Sequence, residues 1–278
     1  MFDARLLRVG VETRGKVAWF DNLAIEVQAT KTSLAAANEA TVKITNLAKA
    51  TRDAILTETS PWNKTQTRKR LIVEAGRTSY GYTRVFAGDI MSATASQPPD
   101  ITVTLTAKTD AWNKTQFAST SKGPLVQARS IAQGIADSLG LAVLRWDVPD
   151  KQVSNWEHSG ALSEQVNALA RLGRWSVFID DDTLVVTPLG KPLASVSPAV
   201  LDSTSGMVGL PEATEQGVKV RMMFSPNVRC GAAITLRSAI NPSINGSFVI
   251  FKMSYELSNR ADPFYIVVEA YKGDRYVV

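Results

Sequence analysis

The sequence offers few side chains for covalent or acid–base catalysis. Its 278 residues contain one histidine, His158, and one cysteine, Cys230. A Ser-His-Asp or Cys-His device needs an imidazole beside a nucleophile and an orienting acid, but the only histidine lies in a predicted loop before a helix. We interpret His158 as a surface or helix-entry residue and Cys230 as a small buried side chain at a turn between strands. The single cysteine also excludes an internal disulfide and a thiolate metal cluster.

Three consecutive aspartates, residues 180–182, lie between two predicted strands. Paired carboxylates hydrolyse glycosides without histidine, so these residues, with Glu157 and Glu164, leave open a cell-wall glycan hydrolase. At a hairpin tip, however, the carboxylates would be solvated, and solvation neither shifts a pKa nor shapes a sugar cleft. A calcium loop needs oxygen ligands at alternating positions and a glycine turn, which this segment lacks. We therefore predict no enzyme activity, no catalytic residue, no metal ligand and no cofactor.

Composition and charge narrow the function classes. Apolar residues make up 45% and charged residues 21% of the chain, as is typical of globular proteins with two or three domains. The formal net charge is +5, and the basic cluster at residues 68–70 after Trp62 leaves open an oligonucleotide-binding barrel. A charged strand edge is the more common origin of such a cluster. No apolar stretch reaches the roughly 18 residues of a membrane span, so we predict no membrane segment.

The elements that must position these residues fall into three parts. Alternation of apolar and polar residues predicts strands at both ends of the chain, and helical spacing of apolar residues predicts helices in the middle. A short helix at residues 48–56, with Asn46 as its N-cap, interrupts the first part. Strands are predicted at residues 5–12, 23–30, 40–45, 70–75, 83–91 and 101–107 in the first part, and at 218–224, 233–238, 248–257 and 264–271 in the last.

The middle part changes to helical periodicity. One helix is predicted between Pro124 and the stop signal Gly140, and a second at residues 162–172. A hairpin at residues 175–187 carries the aspartates at its tip, and a connector follows at 188–209. The pattern predicts a mainly β, α+β fold in which two β domains flank a small α+β domain. The three domains span residues 1–109, 110–205 and 206–278.

The two β regions resemble one another. Residues 85–107 and 248–270 each span 23 residues and align without a gap as strand, proline-containing link and strand ending in alanine. Two further pairs of short segments precede them in the same order, 71–75 with 234–238 and 42–44 with 218–220. We infer an internal duplication. Three copies of such a chain would present six similar surfaces in a ring, which matches a hexameric partner.

The pentapeptide WNKTQ occurs twice, at residues 62–66 and 112–116. Five identical positions arise by chance in a chain of this length only about 1% of the time. A tryptophan with polar neighbours is a common interface anchor, although a favourable turn used twice would give the same repeat. The candidate interface residues are Trp62, Asn63, Gln66, Trp112, Asn113 and Gln116.

Short motifs in a fixed order resemble the baseplate hub proteins of phages. In the first part these are TVKITNLAKATRDAI at residues 41–55, LIVEAG at 71–76 and VFAGDI at 85–90. In the last part they are SGMVGLP at 205–211, GVKV at 217–220, LRS at 236–238 and NGSFVI at 245–250. The first set resembles the N-terminal domain of the family and the second its closing domain, so the resemblance covers most of the chain.

The resemblance implies a structural virion protein, with two tube-like β-barrel domains flanking the middle domain. Hubs of contractile-tailed phages are homotrimers whose barrels join the hexameric tail tube, or its terminal adaptor, to the threefold central spike. The middle domain would contact the spike or other baseplate components, and DNA would pass through the lumen without specific binding. The protein would assemble in the host bacterial cytoplasm and end in the tail baseplate. The nearest alternative is the spike-base component of a phage-like secretion or injection system.

Overall fold

The computed structural model describes residues 3–13, 15–34, 36–63, 67–111, 116–121 and 123–273. Strands account for 51% and helices for 15% of the structure, which confirms the mainly β prediction. The first part contains β1 (Arg5–Thr13), β2 (Lys16–Phe20), β3 (Ala24–Thr32), β4 (Glu39–Thr45), α1 (Lys49–Glu58), β5 (Arg70–Arg77), β6 (Gly81–Ala95) and β7 (Thr102–Lys108). Strand β2 escapes prediction because it is a short edge strand without buried positions.

The middle part contains the two predicted helices and the hairpin together with five short strands that the sequence pattern does not predict, and the last part contains the four predicted strands and two more. The middle part contains β8 (Phe117–Ser121), β9 (Val126–Gln127), α2 (Ala128–Leu139), β10 (Val143–Trp146), β11 (Gln152–Val153), β12 (Glu157–Ala161), α3 (Leu162–Gly173), β13 (Trp175–Asp180) and β14 (Thr183–Pro188). The last part contains β15 (Ala199–Leu201), β16 (Met207–Ala213), β17 (Gly217–Met223), β18 (Ala233–Leu236), β19 (Gly246–Ser258) and β20 (Phe264–Tyr271). The predicted connector at 188–209 is therefore wrong where β15 and the start of β16 lie.

The helix ends only partly follow the sequence signals. The prediction of Asn46 as N-cap is wrong, because Asn46 has a left-handed φ of 62° and α1 begins after Ala48 without a side-chain cap. Gly140 ends α2 with a φ of 69°, as predicted. Gly173 belongs to α3, where a Cβ would lie 2.0 Å from the Trp175 ring. Close packing against Trp175, and not a helix end, therefore requires this glycine.

The strand topology repeats, which supports the inferred duplication. In the first part five strands lie in the order β3-β4-β7-β6-β5, and in the last part five strands lie in the order β16-β17-β20-β19-β18. All of these neighbours are antiparallel. Equivalent strands also occur in the same order along the chain in the two sets. We refer to them as the first and second copy.

A β-bulge marks equivalent positions in the two copies. The register of β6 against β7 shifts between Ile90 and Ser92, and that of β19 against β20 shifts between Ile250 and Lys252. Met91 is therefore equivalent to Phe251. The gapless sequence alignment is wrong by three residues in this strand. The second copy has three more residues than the first between its bulge and the equivalent position of the strand that follows.

One hydrogen-bonded joint connects the two copies. Besides its partners in the second copy, β19 pairs with β3, so that residues 252–258 lie antiparallel to residues 26–32. The result is one continuous sheet whose path ends at β16 and β2. Over the residues that the structure describes, this sheet stays open and does not close into a barrel.

Two apolar cores support this sheet and the middle part. The large core contains fully buried side chains from both copies, such as Val42, Leu105 and Val268. Burying a side chain of this size contributes about 1.5–3 kcal/mol. A second core packs α2 and α3 against the β13–β14 hairpin, with Ile131 and Leu169 at its centre. Among the described helices, none has the length and apolar character needed to cross a membrane.

Candidate functional site

The acidic tip of the β13–β14 hairpin packs against the sheet, where its three aspartate side chains are only 14–24% exposed. The Lys31 ammonium group on β3 lies 2.8 Å from Asp181 Oδ2 and also pairs with Asp180. The Ala87 backbone N–H donates to Asp181 Oδ1 at 2.9 Å. The prediction of a solvated tip is therefore wrong, because cations from distant strands surround it.

The same tip is held by two further strands of the first copy. Arg70 on β5 pairs with Asp182, and Arg84 on β6 lies 2.9 Å from the other oxygen of that carboxylate. The Asn38 side-chain amide donates to the Ile179 carbonyl at 3.0 Å. These contacts fasten the middle part to the first copy through polar groups.

Burial and pairing shift the pKa values of this cluster. Desolvation acts against the charge of Lys31, but attraction from Asp180 and Asp181 outweighs it and raises the Lys31 pKa well above 10.5. Desolvation raises the pKa of Asp181 and, together with the like charge of Asp180, outweighs the attraction to Lys31, which acts in the opposite direction. Burial also raises the pKa values of the nearby Cys230 thiol and Tyr255 hydroxyl. These carboxylates already have protein cations as partners, so the cluster gives no support to a glycan hydrolase.

His158 and Cys230, the two residues considered for nucleophilic catalysis, both pack against neighbouring side chains. His158 lies on β12 opposite Thr120, not in the predicted loop, and its ring stacks on Trp156 with centroids 6.2 Å apart. Cys230 is buried in the large core, which confirms its interpretation as a small filler. The high pKa of a buried thiol disfavours the thiolate that acts as nucleophile.

The structure describes part of the WNKTQ repeat. Trp62 lies in the loop after α1 and is 90% exposed. The Asn63 backbone N–H donates to the Ser60 carbonyl at 3.0 Å, and the Gln116 carbonyl accepts from Leu162 N–H at 3.1 Å. The other three candidates lie outside the described residues: Gln66, Trp112 and Asn113. Their role in an interface stays a prediction.

The continuous sheet has one polar face. It extends over eight neighbouring strands in the order β16-β17-β20-β19-β3-β4-β7-β6. Alternate residues of these strands are buried in the core, and the residues between them, such as Gln28, Thr41, Thr104 and Ser254, point to the other side. We call that side the polar face; on β6 it begins at Ser92.

Two edges of this eight-stranded region have no strand beside them among the described residues. Strand β16 pairs with β17 alone. On β6 the pairing with β5 ends at Asp89, so residues 92–95 pair with β7 alone, and Met91 is the bulge residue before them. Met91 and Leu210 on these edges are 53% and 60% exposed. Because an open edge is a template for another strand, both are candidate assembly edges.

Solved structures of tail proteins share this fold. The tail protein from Neisseria meningitidis MC58 has a TM-score of 0.68 at 12% identity over 97% of each chain. The 43 kDa tail protein of prophage MuSo2 from Shewanella oneidensis has a TM-score of 0.63 at 12% identity, over 97% of this chain and 99% of that one. An E. coli component of the type VI secretion system has a TM-score of 0.56 at 10% identity, over 96% of this chain and 78% of that one.

Similarity of fold at this level of sequence identity does not assign the chain to a family, but a match to a family model does. No curated protein matches the sequence. The family model described as baseplate hub gp41 matches residues 6–270, which include both copies and the middle part. This match confirms the resemblance seen in the short motifs. The chain therefore belongs to the baseplate hub gp41 family and is a structural component of a phage or injection-system tail.

Proposed function

We propose that the protein is the trimeric hub of the baseplate, which adapts the hexameric tail tube to the threefold central spike. The repeated five-strand topology carries this proposal. Three chains contain six nearly equivalent copies, so a threefold assembly presents a sixfold set of surfaces to the tube. In this assembly the two open β domains, residues 1–109 and 206–278, join those of the neighbouring chains into one tube-like barrel, and residues 110–205 form the middle domain outside the ring.

The joint inside the chain indicates how neighbouring chains meet. Within one chain the first strand of the first copy, β3, pairs with the long strand of the second copy, β19. The equivalent strands are β16 and β6, which carry the two open edges. We therefore place β16 of one protomer beside β6 of the next. Three such joints alternate with three internal joints and close the ring.

The hydrogen-bond registers suggest which residues meet at the joint between protomers. Inside the chain Tyr255 lies opposite Ala29. Counting from the bulges and through the paired strands, Ala95 is equivalent to Tyr255 and Ala213 to Ala29. The proposed joint therefore brings Ala95 of one protomer opposite Ala213 of the next.

The ring would enclose part of the DNA-ejection channel. The tail tube protein or its terminal adaptor would bind one end, and the central spike the other. The middle domain, together with the WNKTQ residues such as Trp62, would contact other baseplate components. This role requires no catalysis, cofactor or specific DNA binding, and assembly would take place in the host bacterial cytoplasm.

A spike-base component of a phage-like injection system is the second candidate. The likeness to the E. coli type VI secretion component favours it. That protein is described as structurally similar to the T4 tail proteins gp27 and gp5. The gene neighbourhood distinguishes the two, because genes for a capsid accompany a phage tail and are absent from an injection system.

Disulfide trapping tests the joint. In a variant with Ala95→Cys and Ala213→Cys, oxidation should link each protomer to the next, because opposite residues of antiparallel strands have Cα atoms about 4.5–5.5 Å apart. We expect a covalent trimer on a non-reducing gel. Cys230 is buried and does not compete.

In a matched control, the cysteine at Ala95 is replaced by one on β2, the strand at the opposite end of the sheet path from β16. In a variant with Val17→Cys and Ala213→Cys the thiol lies on β2, and we expect no covalent trimer. A trimer from this control, or none from the Ala95 and Ala213 variant, would contradict the proposed joint.

A further inference from the structure

Every charged side chain that the structure describes on the polar face belongs to an ion pair. Five are basic and five are acidic, and each cation has its own glutamate. In the second copy the pairs are Lys219 with Glu212 at 3.9 Å, Arg221 with Glu256 at 3.3 Å and Lys252 with Glu269 at 2.9 Å. In the first copy they are Lys43 with Glu26 at 3.8 Å and Lys108 with Glu39 at 2.7 Å.

The pairs connect different strands. Four of them join adjacent strands of the sheet, and the fifth spans β20, where the Arg221 guanidinium lies over the Tyr265 ring at 5.7 Å. Between the pairs the polar face carries mostly hydroxyl and amide groups, such as Thr41 and Gln28. The face as a whole is therefore electrically neutral.

This neutrality contrasts with the rest of the protein. The chain has a formal net charge of +5, so its excess positive charge lies elsewhere. Exposed ion pairs contribute only about 0–1 kcal/mol each to stability. Stability alone therefore does not explain why all the charges of one face are paired.

The physics of DNA binding gives a reason for the pairing. Duplex DNA carries one negative charge per roughly 1.7 Å of its axis, and each basic residue that neutralises a phosphate adds to affinity. An ammonium group beside a carboxylate presents a short dipole, whose weak field is further screened over a Debye length of about 10 Å at 0.1 M salt. A surface built from such pairs gives passing phosphates little net attraction.

We infer that the polar face lines the DNA channel and that its five glutamates prevent retention of the DNA by the five basic residues. This inference rests on the proposed function, which supplies the ring and its channel. It adds the identity of the lining face and the means by which DNA passes without being held.

Two variants with the same net charge test the inference. The face variant carries five substitutions: Glu26→Gln, Glu39→Gln, Glu212→Gln, Glu256→Gln and Glu269→Gln. The control variant neutralises five exposed acids outside the polar face: Asp21→Asn, Asp137→Asn, Glu157→Gln, Glu215→Gln and Asp262→Asn. Any difference between the two variants then reports on the position of the charge, because its amount is the same.

The first measurement is the affinity of each purified protein for a fluorescent duplex DNA as the salt concentration is raised. We expect the face variant to bind at least about 10-fold more tightly than the control variant at low salt, with a steeper salt dependence. Equal affinities and equal salt dependence would overturn the inference.

The second measurement uses phage particles complemented with each variant. Electron microscopy counts the assembled tails, and the fraction of DNA released on triggering reports passage through the channel. We expect tails from both variants and slowed DNA release from the face variant alone. Release at the rate of the control variant would show that the polar face does not line the channel.

An exchange variant guards against failure of assembly in the face variant. Glu26→Lys with Lys43→Glu, and Glu39→Lys with Lys108→Glu, keep the pairs while reversing them. This variant should form tails and release DNA as the unmodified protein does, and retained DNA would contradict the inference. Tails in which the hub has no threefold symmetry would contradict the proposed function. The difference in duplex affinity between the face variant and the control variant would still be expected.

Discussion

Lys31 is a buried ammonium group whose side chain is only 7% exposed and whose partners are Asp180 and Asp181. About 150 residues separate the cation from its carboxylates, so neither periodicity nor local composition reveals the pairing. Because these distant partners cannot be recognised in the sequence, the aspartates at residues 180–182 are predicted to be solvated at a hairpin tip. The burial of Cys230, by contrast, follows from its own small, apolar character and is predictable.

Removal of Lys31 should destabilise the fold. We expect Lys31→Met to lower the free energy of unfolding by about 3–5 kcal/mol, because it leaves buried carboxylates without a counterion. Lys49→Met removes an exposed pair with Asp53 and should cause no measurable change. Urea unfolding of both variants checks this, and similar losses in the two would show that Lys31 is not a buried partner.

The stability of the fold should depend on the protonation of Asp181. Because its pKa is raised above 3.8 in the folded state, the folded protein holds a proton at pH values where the unfolded chain has lost it. This stabilisation is complete below about pH 4 and is lost as the pH rises through the raised pKa.

Asp181→Asn keeps this site neutral at every pH and supplies the reference. We expect the free energy of unfolding of the unmodified protein, minus that of the variant, to fall as the pH rises above about 4. Chemical unfolding at a series of pH values measures this difference. A difference that grows with pH would contradict the raised pKa.

At the scale of elements, periodicity predicts the strands and helices that have one buried face. Helix α2 places Ile131, Ile135 and Leu139 on one side, and the strands of both copies alternate in the same way as their sequence. Strand β16 is different, because Gly209 has a φ of 73° and the register shifts between Val208 and Glu212. The local interruption hides this strand in the sequence.

The loop after α1 should act in assembly and not in folding. Since Trp62 is 90% exposed, Trp62→Ala should leave the stability of the monomer unchanged. As an interface anchor it should weaken assembly by at least about 2 kcal/mol, or about 30-fold. Ile240→Ala removes a similarly exposed apolar side chain outside the repeat and should have no effect. Immunoblotting of purified tails measures how much of each variant is incorporated. Equal incorporation of both variants would exclude a role of Trp62 as an interface anchor.

At the scale of the whole molecule, the duplication is visible in the sequence but its joint is not. The order of short apolar segments predicts two related β regions, and the topology repeats as expected. The pairing of β3 with β19 leaves no local pattern, because the two strands lie at opposite ends of the chain. The wrong gapless alignment has a similar cause, since the bulges at Met91 and Phe251 depend on neighbouring strands.

In the proposed hub, three chains supply six nearly equivalent β units around one channel. An electron cryo-microscopy reconstruction of the assembled tail tip, viewed along its axis, tests this arrangement most directly. We expect three copies of this chain, with β16 of each beside β6 of the next and the polar face towards the central hole. Two or six copies around the axis, or a polar face turned outwards, would contradict the account.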